Sequence, residues 1–255
     1  MKKILIIGIG AGHPEYITIQ AVNALNKVDV FFILDKGADK EKLVEFRREL
    51  CRRYIRGRNY RFLDAESPEW ERRSADYRAT IAGLNRDKQT LFERLIGDGM
   101  EDGECGAFLV WGDPTLYDST LRILEHLQAK GAFELDYEVI PGISSIQALA
   151  ARHRVAINAI GRAVLITNGR ELAEGFPNNV DSVMVLLNAD KALRHADGDL
   201  EAYWGAYVGM PEEILVSGKL RDIVDEIERV RSAARSENGW IMDCVLLKRP
   251  RGGED

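Results

Sequence analysis

Short apolar runs recur along the first 140 positions of the chain, and stretches with helical periodicity separate them. The apolar runs occupy residues 3–9, 28–34, 106–111 and 137–140. Uninterrupted apolar runs are typical of strands buried on both faces of a parallel sheet. The helical patterns occupy residues 17–26, 39–54, 68–96 and 115–128. This alternation predicts an α/β domain with a largely parallel sheet.

A second set of apolar runs begins near Gly161. It predicts strands at residues 163–167, 182–187, 201–208 and 240–247. An amphipathic helix is predicted at residues 219–235, because apolar side chains recur there on one helical face. The chain is therefore predicted to form two α/β domains, residues 1–160 and 161–255, with a ligand-binding cleft between them.

The composition narrows the class of protein. Of the 255 residues, 45% are hydrophobic and 30% are charged, as in globular proteins. A net charge of −6 disfavours general nucleic-acid binding, and no apolar stretch approaches the roughly 20 residues of a membrane span. Cys51, Cys105 and Cys244 form no CxxC pair. We therefore expect reduced thiols, no metal site and a soluble cytoplasmic protein.

The first apolar run enters a glycine loop, GIGAGHP, at residues 8–14. A dinucleotide-binding loop has the spacing GxGxxG, with an acidic residue about 20 positions further on. Here the third glycine comes one position early, at Gly12, and His13 stands where the fingerprint has glycine. Asp35, at the end of the second run, suits the acidic position. A nicotinamide-dependent oxidoreductase therefore stays open as an alternative.

Two further turns have the same strand–turn–helix character. They are WGDPTLY at residues 111–117 and IPGISS at residues 140–145. Backbone N–H groups at strand ends and helix N-termini can hold polar groups of a cofactor, notably a carboxylate. Either turn alone is also an ordinary βα connection.

Together, in this order and spacing, the three turns resemble those of the tetrapyrrole methylases. In the second half, the segments VMVLLN (183–188), AYVGMPEEILVSGKL (206–220) and MDCVLLKRP (242–250) are similar to later segments of that family. The resemblance covers nearly the whole chain. It implies transfer of a methyl group from S-adenosylmethionine to a tetrapyrrole, with S-adenosylhomocysteine as product, by a homodimer.

Within the family, the chain most resembles the deacetylating branch. The similarity lies in the AGHPEYIT loop that contains His13 and in residues 30–37, 106–125, 149–154 and 203–218. It implies methylation at C1 of precorrin-5 with loss of the acetyl group there as acetate. A methylase acting on another ring carbon stays open as an alternative.

The resemblance also carries over a set of cofactor-binding positions. Two of them depart from the family pattern, since Ala11 replaces a proline and Trp111 replaces a small residue. The full set is Ala11, Trp111, Gly112, Asp113, Leu116, Ser144, Ser145, Leu187, Tyr207 and Val208.

Loss of acetate requires water to attack the acetyl carbonyl, so we expect a general base. His13 is the first candidate, because an unperturbed histidine has a pKa of about 6.5. Asp35 and Tyr117 are further catalytic candidates. A polyacidic substrate on an acidic protein also needs a local basic surface. We expect Arg152 and Arg154 to supply it, and the arginine-rich residues 47–58 are a second source.

Overall fold

The computed structural model describes residues 1–35, 37, 40–68 and 77–250, and these divide into two compact units. Unit 1 contains Met1–Gly10 and Pro14–Ile143, whereas unit 2 contains Ala11–His13 and the chain from Ser144 onward. The division falls before the boundary expected near residue 161. The reason is that helix α5 (Ser145–His153) packs against strands of the second sheet.

Unit 1 is built on a five-stranded sheet in the order β3-β2-β4-β1-β5. All neighbouring pairs are parallel, as the apolar runs predict. The strands are β1 (Lys2–Gly8), β2 (Val30–Asp35), β3 (Arg61–Glu66), β4 (Cys105–Val110) and β5 (Leu135–Ile140).

Four helices cover the two faces of this sheet. They are α1 (Ile19–Leu25), α2 (Glu41–Tyr54), α3 (Tyr77–Gly99) and α4 (Thr120–Lys130). Helices α1 and α2 pack on the face that contains Leu5 and Ile7, and α3 and α4 pack on the face that contains Ile4 and Ile6. Successive side chains of a strand point to opposite faces, so β1 contributes to both cores.

The helices of unit 1 differ from their predicted bounds. Parts of two predicted helices, residues 69–76 and residue 39, lie outside the described residues. Helix α4 begins at Thr120, later than predicted, because Asp118 accepts a hydrogen bond from the Thr120 N–H at its start.

Strand β3 was not predicted. It pairs only with β2, at the edge of the sheet, and its sequence RFLDAE is largely polar. An edge strand needs no continuous apolar run, so its pattern is weak. Arg61 at its start forms an ion pair with Glu104, just before β4.

Unit 2 has a second five-stranded sheet in the order β6-β7-β10-β8-β9. Only the β6–β7 pair is parallel. The strands are β6 (Val164–Thr167), β7 (Ser182–Leu186), β8 (Glu201–Ala206), β9 (Ile214–Lys219) and β10 (Asp243–Lys248). Besides α5, the helices are α6 (Gly169–Leu172), α7 (Asp190–Leu193) and α8 (Leu220–Asn238).

The core of unit 2 contains a polar network around Asp243. The indole N–H of the buried Trp204 donates to Asp243 Oδ2 at 3.1 Å, and Arg231 Nε donates to the same oxygen at 2.9 Å. The Asp243 carboxylate is thus satisfied where β8, β10 and α8 meet. No helix in the described part of the chain is both long enough and apolar enough to cross a bilayer.

Candidate active site

The carboxyl ends of β1, β4 and β5 meet at a junction of three glycines, Gly8, Gly112 and Gly142. A Cβ added to Gly142 would lie 2.0 Å from the Gly112 carbonyl oxygen, and one added to Gly8 would lie 2.6 Å from Gly142 N. Gly112 N donates to Gly10 O at 2.9 Å and closes a bridge between the two loops. Close backbone approach is therefore what requires glycine here.

Gly12, the glycine whose spacing breaks the dinucleotide fingerprint, has a packing role in unit 2. Its φ is +97°, and an added Cβ would lie 2.7 Å from Met210 Cγ and 2.8 Å from Val208 O. Ala11 beside it is buried and His13 is exposed. The loop spacing thus follows from backbone packing and does not need a phosphate ligand.

Asp113 connects the GDP turn to the PGISS turn. Its Oδ1 accepts hydrogen bonds from Thr115 N at 2.8 Å and from the Thr115 hydroxyl, and its Oδ2 accepts from Gly142 N at 2.9 Å. Partial burial raises the pKa of this carboxyl, but the bonds from Thr115 and Gly142 outweigh burial and lower the pKa below its ordinary value. Asp113 is therefore ionised and fixes the relative position of the two turns.

Ser144 is the N-cap of α5. Its buried hydroxyl accepts from Ile146 N at 3.1 Å and donates to Gln147 Oε1 at 2.7 Å, and that oxygen also accepts from Ser144 N at 3.2 Å. This capping box occupies the hydroxyl. Ser145 follows it, half-buried, as the first residue of the helix.

Several residues singled out in the sequence have left-handed backbone conformations. Among the described residues, the non-glycine positions with positive φ are Tyr117, Arg154, Leu187, Asn188 and Tyr207. This conformation costs roughly 1–2 kcal/mol in a residue with a side chain, and such strain clusters at functional sites. Four of the five belong to the predicted site.

Three of the cofactor-binding candidates, Leu187, Tyr207 and Leu116, differ in burial and in hydrogen bonding. The apolar side chain of Leu187 is 55% exposed. Tyr207 is buried, and its hydroxyl donates to Trp240 O and lies 3.3 Å from Ala234 O. Its N–H donates to Met242 O at 2.9 Å, and its carbonyl oxygen accepts from Met210 N at 2.8 Å. Leu116 is half-buried, and its N–H donates to Asp113 O at 3.2 Å, within the GDP turn.

The three catalytic candidates differ in their surroundings. His13 is exposed in the first loop. Asp35 is also exposed, and its Oδ1 accepts from Gly37 N at 2.9 Å, so part of the carboxylate belongs to the turn after β2. The Tyr117 side chain is half-exposed, and desolvation raises the pKa of its phenol. Tyr117 is therefore a proton donor at neutral pH.

The two substrate candidates on α5 are not equivalent. Arg152 donates from Nε to Glu213 Oε1 at 2.7 Å, and Glu213 Oε2 accepts from Gly209 N at 2.8 Å. Arg152 thus supports the turn that follows Tyr207. Arg154 is the exposed C-cap of α5.

Trp111 and Arg47 lie near the carboxyl ends of β2 and β4. The Trp111 ring packs on Phe46, with 5.2 Å between ring centroids. Arg47 donates from Nε to Leu109 O at 2.9 Å and from Nη1 to Leu43 O at 2.7 Å. The sequence places Arg47 only within a basic stretch, because the direction of its side chain depends on how α2 packs against the sheet.

Comparison with known proteins decides the family. The sequence model of the Tetrapyrrole (Corrin/Porphyrin) Methylases matches residues 3–224. The chain belongs to the tetrapyrrole methylase family. This tetrapyrrole methylase is 44% identical to a precorrin-6A synthase [deacetylating] from a Sinorhizobium species, over 98% of this chain and 96% of the relative.

Solved structures agree on the fold of this tetrapyrrole methylase. A cobalamin synthesis related protein (CobF) from Corynebacterium diphtheriae superposes with a TM-score of 0.81 at 33% identity, over 98% of this chain and 99% of that one. A uroporphyrin-III C-methyltransferase from Thermus thermophilus, complexed with S-adenosylhomocysteine, superposes with a TM-score of 0.58 at 15% identity, over 96% and 97%. The predicted two-domain α/β class is confirmed.

Proposed function

We propose that this methylase transfers a methyl group from S-adenosylmethionine to C1 of precorrin-5 and releases the acetyl group at C1 as acetate, forming precorrin-6A. The observation that carries the proposal is the similarity to a precorrin-6A synthase [deacetylating] over almost the full length of both chains. The dinucleotide alternative is not favoured, because the glycines of the first loop are accounted for by packing.

We propose the same cofactor-binding positions that the family resemblance implies. S-adenosylmethionine supplies an electrophilic methyl group and carries a carboxylate but no phosphate. The fit is supported by the strained backbone at Leu187 and Tyr207. We infer that the turns containing Gly112 and Ser144 and the segment with Tyr207 and Val208 line the cofactor site, as the resemblance implies, with Asp113 as the residue that positions the two turns.

Catalysis by this chain rests mainly on alignment. Positioning two reactants corresponds to effective molarities of about 10⁵ M or more. We infer that His13 accepts a proton from the water that attacks the acetyl carbonyl, and that Tyr117 donates a hydrogen bond to substrate. The carbon–carbon bond to the acetyl group would then break with its electron pair left at C1, and C1 would bond the methyl carbon as the methyl–sulfur bond of the donor breaks and leaves its electron pair on sulfur. The acyl carbon leaves as acetate.

The proposal is tested with purified protein, precorrin-5 and S-adenosylmethionine. We expect mass spectrometry to show precorrin-6A, and acetate to accumulate with it. A methylated product without acetate would instead support a methylase acting on another ring carbon. Calorimetry separates the cofactor classes, since S-adenosylhomocysteine should bind and NAD should not.

We further propose that the protein works as a cytoplasmic homodimer. The support is family resemblance. Light scattering on the full chain should give twice the monomer mass of 28.7 kDa, and a monomer mass at micromolar concentration would contradict it.

A further inference from the structure

A small cavity lies at the carboxyl ends of β2 and β4 in unit 1. Its volume is about 130 Å³. Phe32 and Val110 contribute apolar walls, and Lys40, Arg47 and Asp118 contribute charged groups. Ligand pockets for drug-sized molecules have volumes of about 300–1,000 Å³. This cavity therefore accommodates one short chain and not a whole macrocycle.

The position of the cavity in the sheet is typical of ligand sites. Strands β2 and β4 are neighbours, and the helices that follow them, α2 and α4, pack on opposite faces. In open parallel sheets, ligands bind outside the carboxyl ends of two neighbouring strands whose following helices lie on opposite faces of the sheet. Side chains from α2 and from the start of α4 line the opening.

Arg47 gives the cavity its chemical character. Its Nε and Nη1 donate to the backbone oxygens of Leu109 and Leu43, whereas Nη2 has no acceptor in the part of the chain that the structure describes. No carboxylate of that part lies within ion-pair distance, 4.0 Å, of its guanidinium. Two parallel N–H bonds to a carboxylate are the interaction that a guanidinium favours.

The neighbouring charges leave the cavity positive. Asp118 lines it, but its Oδ1 accepts from Thr120 N at 2.7 Å, and it faces two cations, Lys40 and Arg47. Burial lowers the pKa of Arg47 to about 10, and Asp118 opposes part of that shift. Arg47 therefore stays protonated at neutral pH. Lys88, whose Nζ donates to Ser119 Oγ at 3.4 Å, adds a third cation near Asp118.

We propose that this cavity binds a short alkyl carboxylate, with Arg47 as the group that holds the carboxylate and the apolar walls as the groups that hold its chain. The inference rests on the proposed function. Two sources share this chemistry, namely an acid side chain of the tetrapyrrole and the acetate that the reaction releases. A net charge of −6 makes such a local cationic site necessary for a polyacidic substrate.

Calorimetry with sodium propionate tests the site on the whole protein. We expect one saturable site in the native protein and a loss of affinity of about tenfold or more in Arg47→Gln. Arg52→Gln is the matched control on the same helix, since Arg52 is exposed and pairs with Glu45, and it should bind as the native protein does. Absence of propionate binding, or equal binding by Arg47→Gln, overturns the proposal.

A second variant covers the case in which Arg47→Gln fails to fold. Val44→Phe fills the cavity from α2 and leaves Arg47 in place. Loss of propionate binding in Val44→Phe, with native circular dichroism, supports the site, and retained binding overturns it.

Steady-state kinetics separates the two sources. If the cavity holds a side chain of the tetrapyrrole, Arg47→Gln raises the KM for precorrin-5 about tenfold with little change in kcat, and propionate competes with precorrin-5. If it holds released acetate, KM is unchanged and acetate inhibition weakens in the variant. Propionate binding without methylation would refute the proposed function alone, whereas methylation without propionate binding would refute the cavity site alone.

Discussion

Gly142 is the residue on which the strand-end junction depends most directly. Replacing it with alanine would place a methyl group 2.0 Å from the Gly112 carbonyl oxygen and 2.9 Å from the Gly8 backbone, so backbone must move. We expect Gly142→Ala to lower the free energy of unfolding by about 3 kcal/mol or more and to abolish S-adenosylhomocysteine binding. Urea denaturation and calorimetry measure the two effects.

Gly131→Ala is the control for that substitution. Gly131 is the left-handed C-cap of α4 and has open space around the Cβ position, so only backbone strain of roughly 1–2 kcal/mol applies. Equal destabilisation by the two variants would show that the junction is not tightly packed.

His13 is the residue that we propose links the glycine loop to the loss of acetate. We expect His13→Ala to bind S-adenosylhomocysteine within about twofold of the native protein and to slow acetate release by about 10²–10⁴-fold, the usual contribution of a general base. A coupled acetate assay measures the rate. His126→Ala, on the exposed face of α4, is the control. Turnover unchanged by His13→Ala would leave His13 without a catalytic role.

At the scale of elements, an ion pair between Arg61 and Glu104 connects the edge strand β3 to the start of β4. Hydrogen bonds from Arg61 lower the pKa of Glu104 from 4.5 to about 2, against the opposing effect of desolvation and with help from the Glu101 N–H. A lowered pKa means that this stabilisation is complete above pH 4.5 and is lost as the pH falls towards 2. Because Arg61 is 44% exposed, we expect a contribution of about 1 kcal/mol.

Comparison of Glu104→Gln with the native protein isolates that contribution. The difference in unfolding free energy should be constant between pH 7 and pH 5, and should shrink by more than half at pH 3. Urea denaturation at the three pH values measures it. A difference that does not change with pH would mean that the carboxylate charge contributes nothing to the anchoring of β3.

The apolar pattern predicts the elements that are buried on both sides and misses two of the four edge strands. Strands β1, β2 and β4 lie where continuous apolar runs are found, because both of their faces are covered by helices. The edge strand β5 was predicted from a shorter run, residues 137–140. Strands β3 and β9 were missed, since each has one strand neighbour and a partly exposed sequence. Hydrophobic periodicity reflects how much of an element is buried, and β3 and β9 are only partly buried.

At the scale of the whole molecule, the sequence predicts the class and the two-part organisation but not how the site is assembled. Gly8, Gly112 and Gly142 are far apart in the chain, and only the parallel ladders bring them together. Likewise, the basic stretch around Arg47 shows no sign of which arginine enters a cavity. The family resemblance supplied the expected positions, and the geometry gives two of them, Asp113 and Arg152, hydrogen bonds that hold neighbouring turns.

The most direct test of the central claim is the stoichiometry of a single reaction. The purified chain is incubated with precorrin-5 and methyl-labelled S-adenosylmethionine, and acetate, S-adenosylhomocysteine and labelled tetrapyrrole are measured in the same sample. We predict equal amounts of all three, with the label in precorrin-6A. Formation of S-adenosylhomocysteine and labelled tetrapyrrole without acetate would contradict the account.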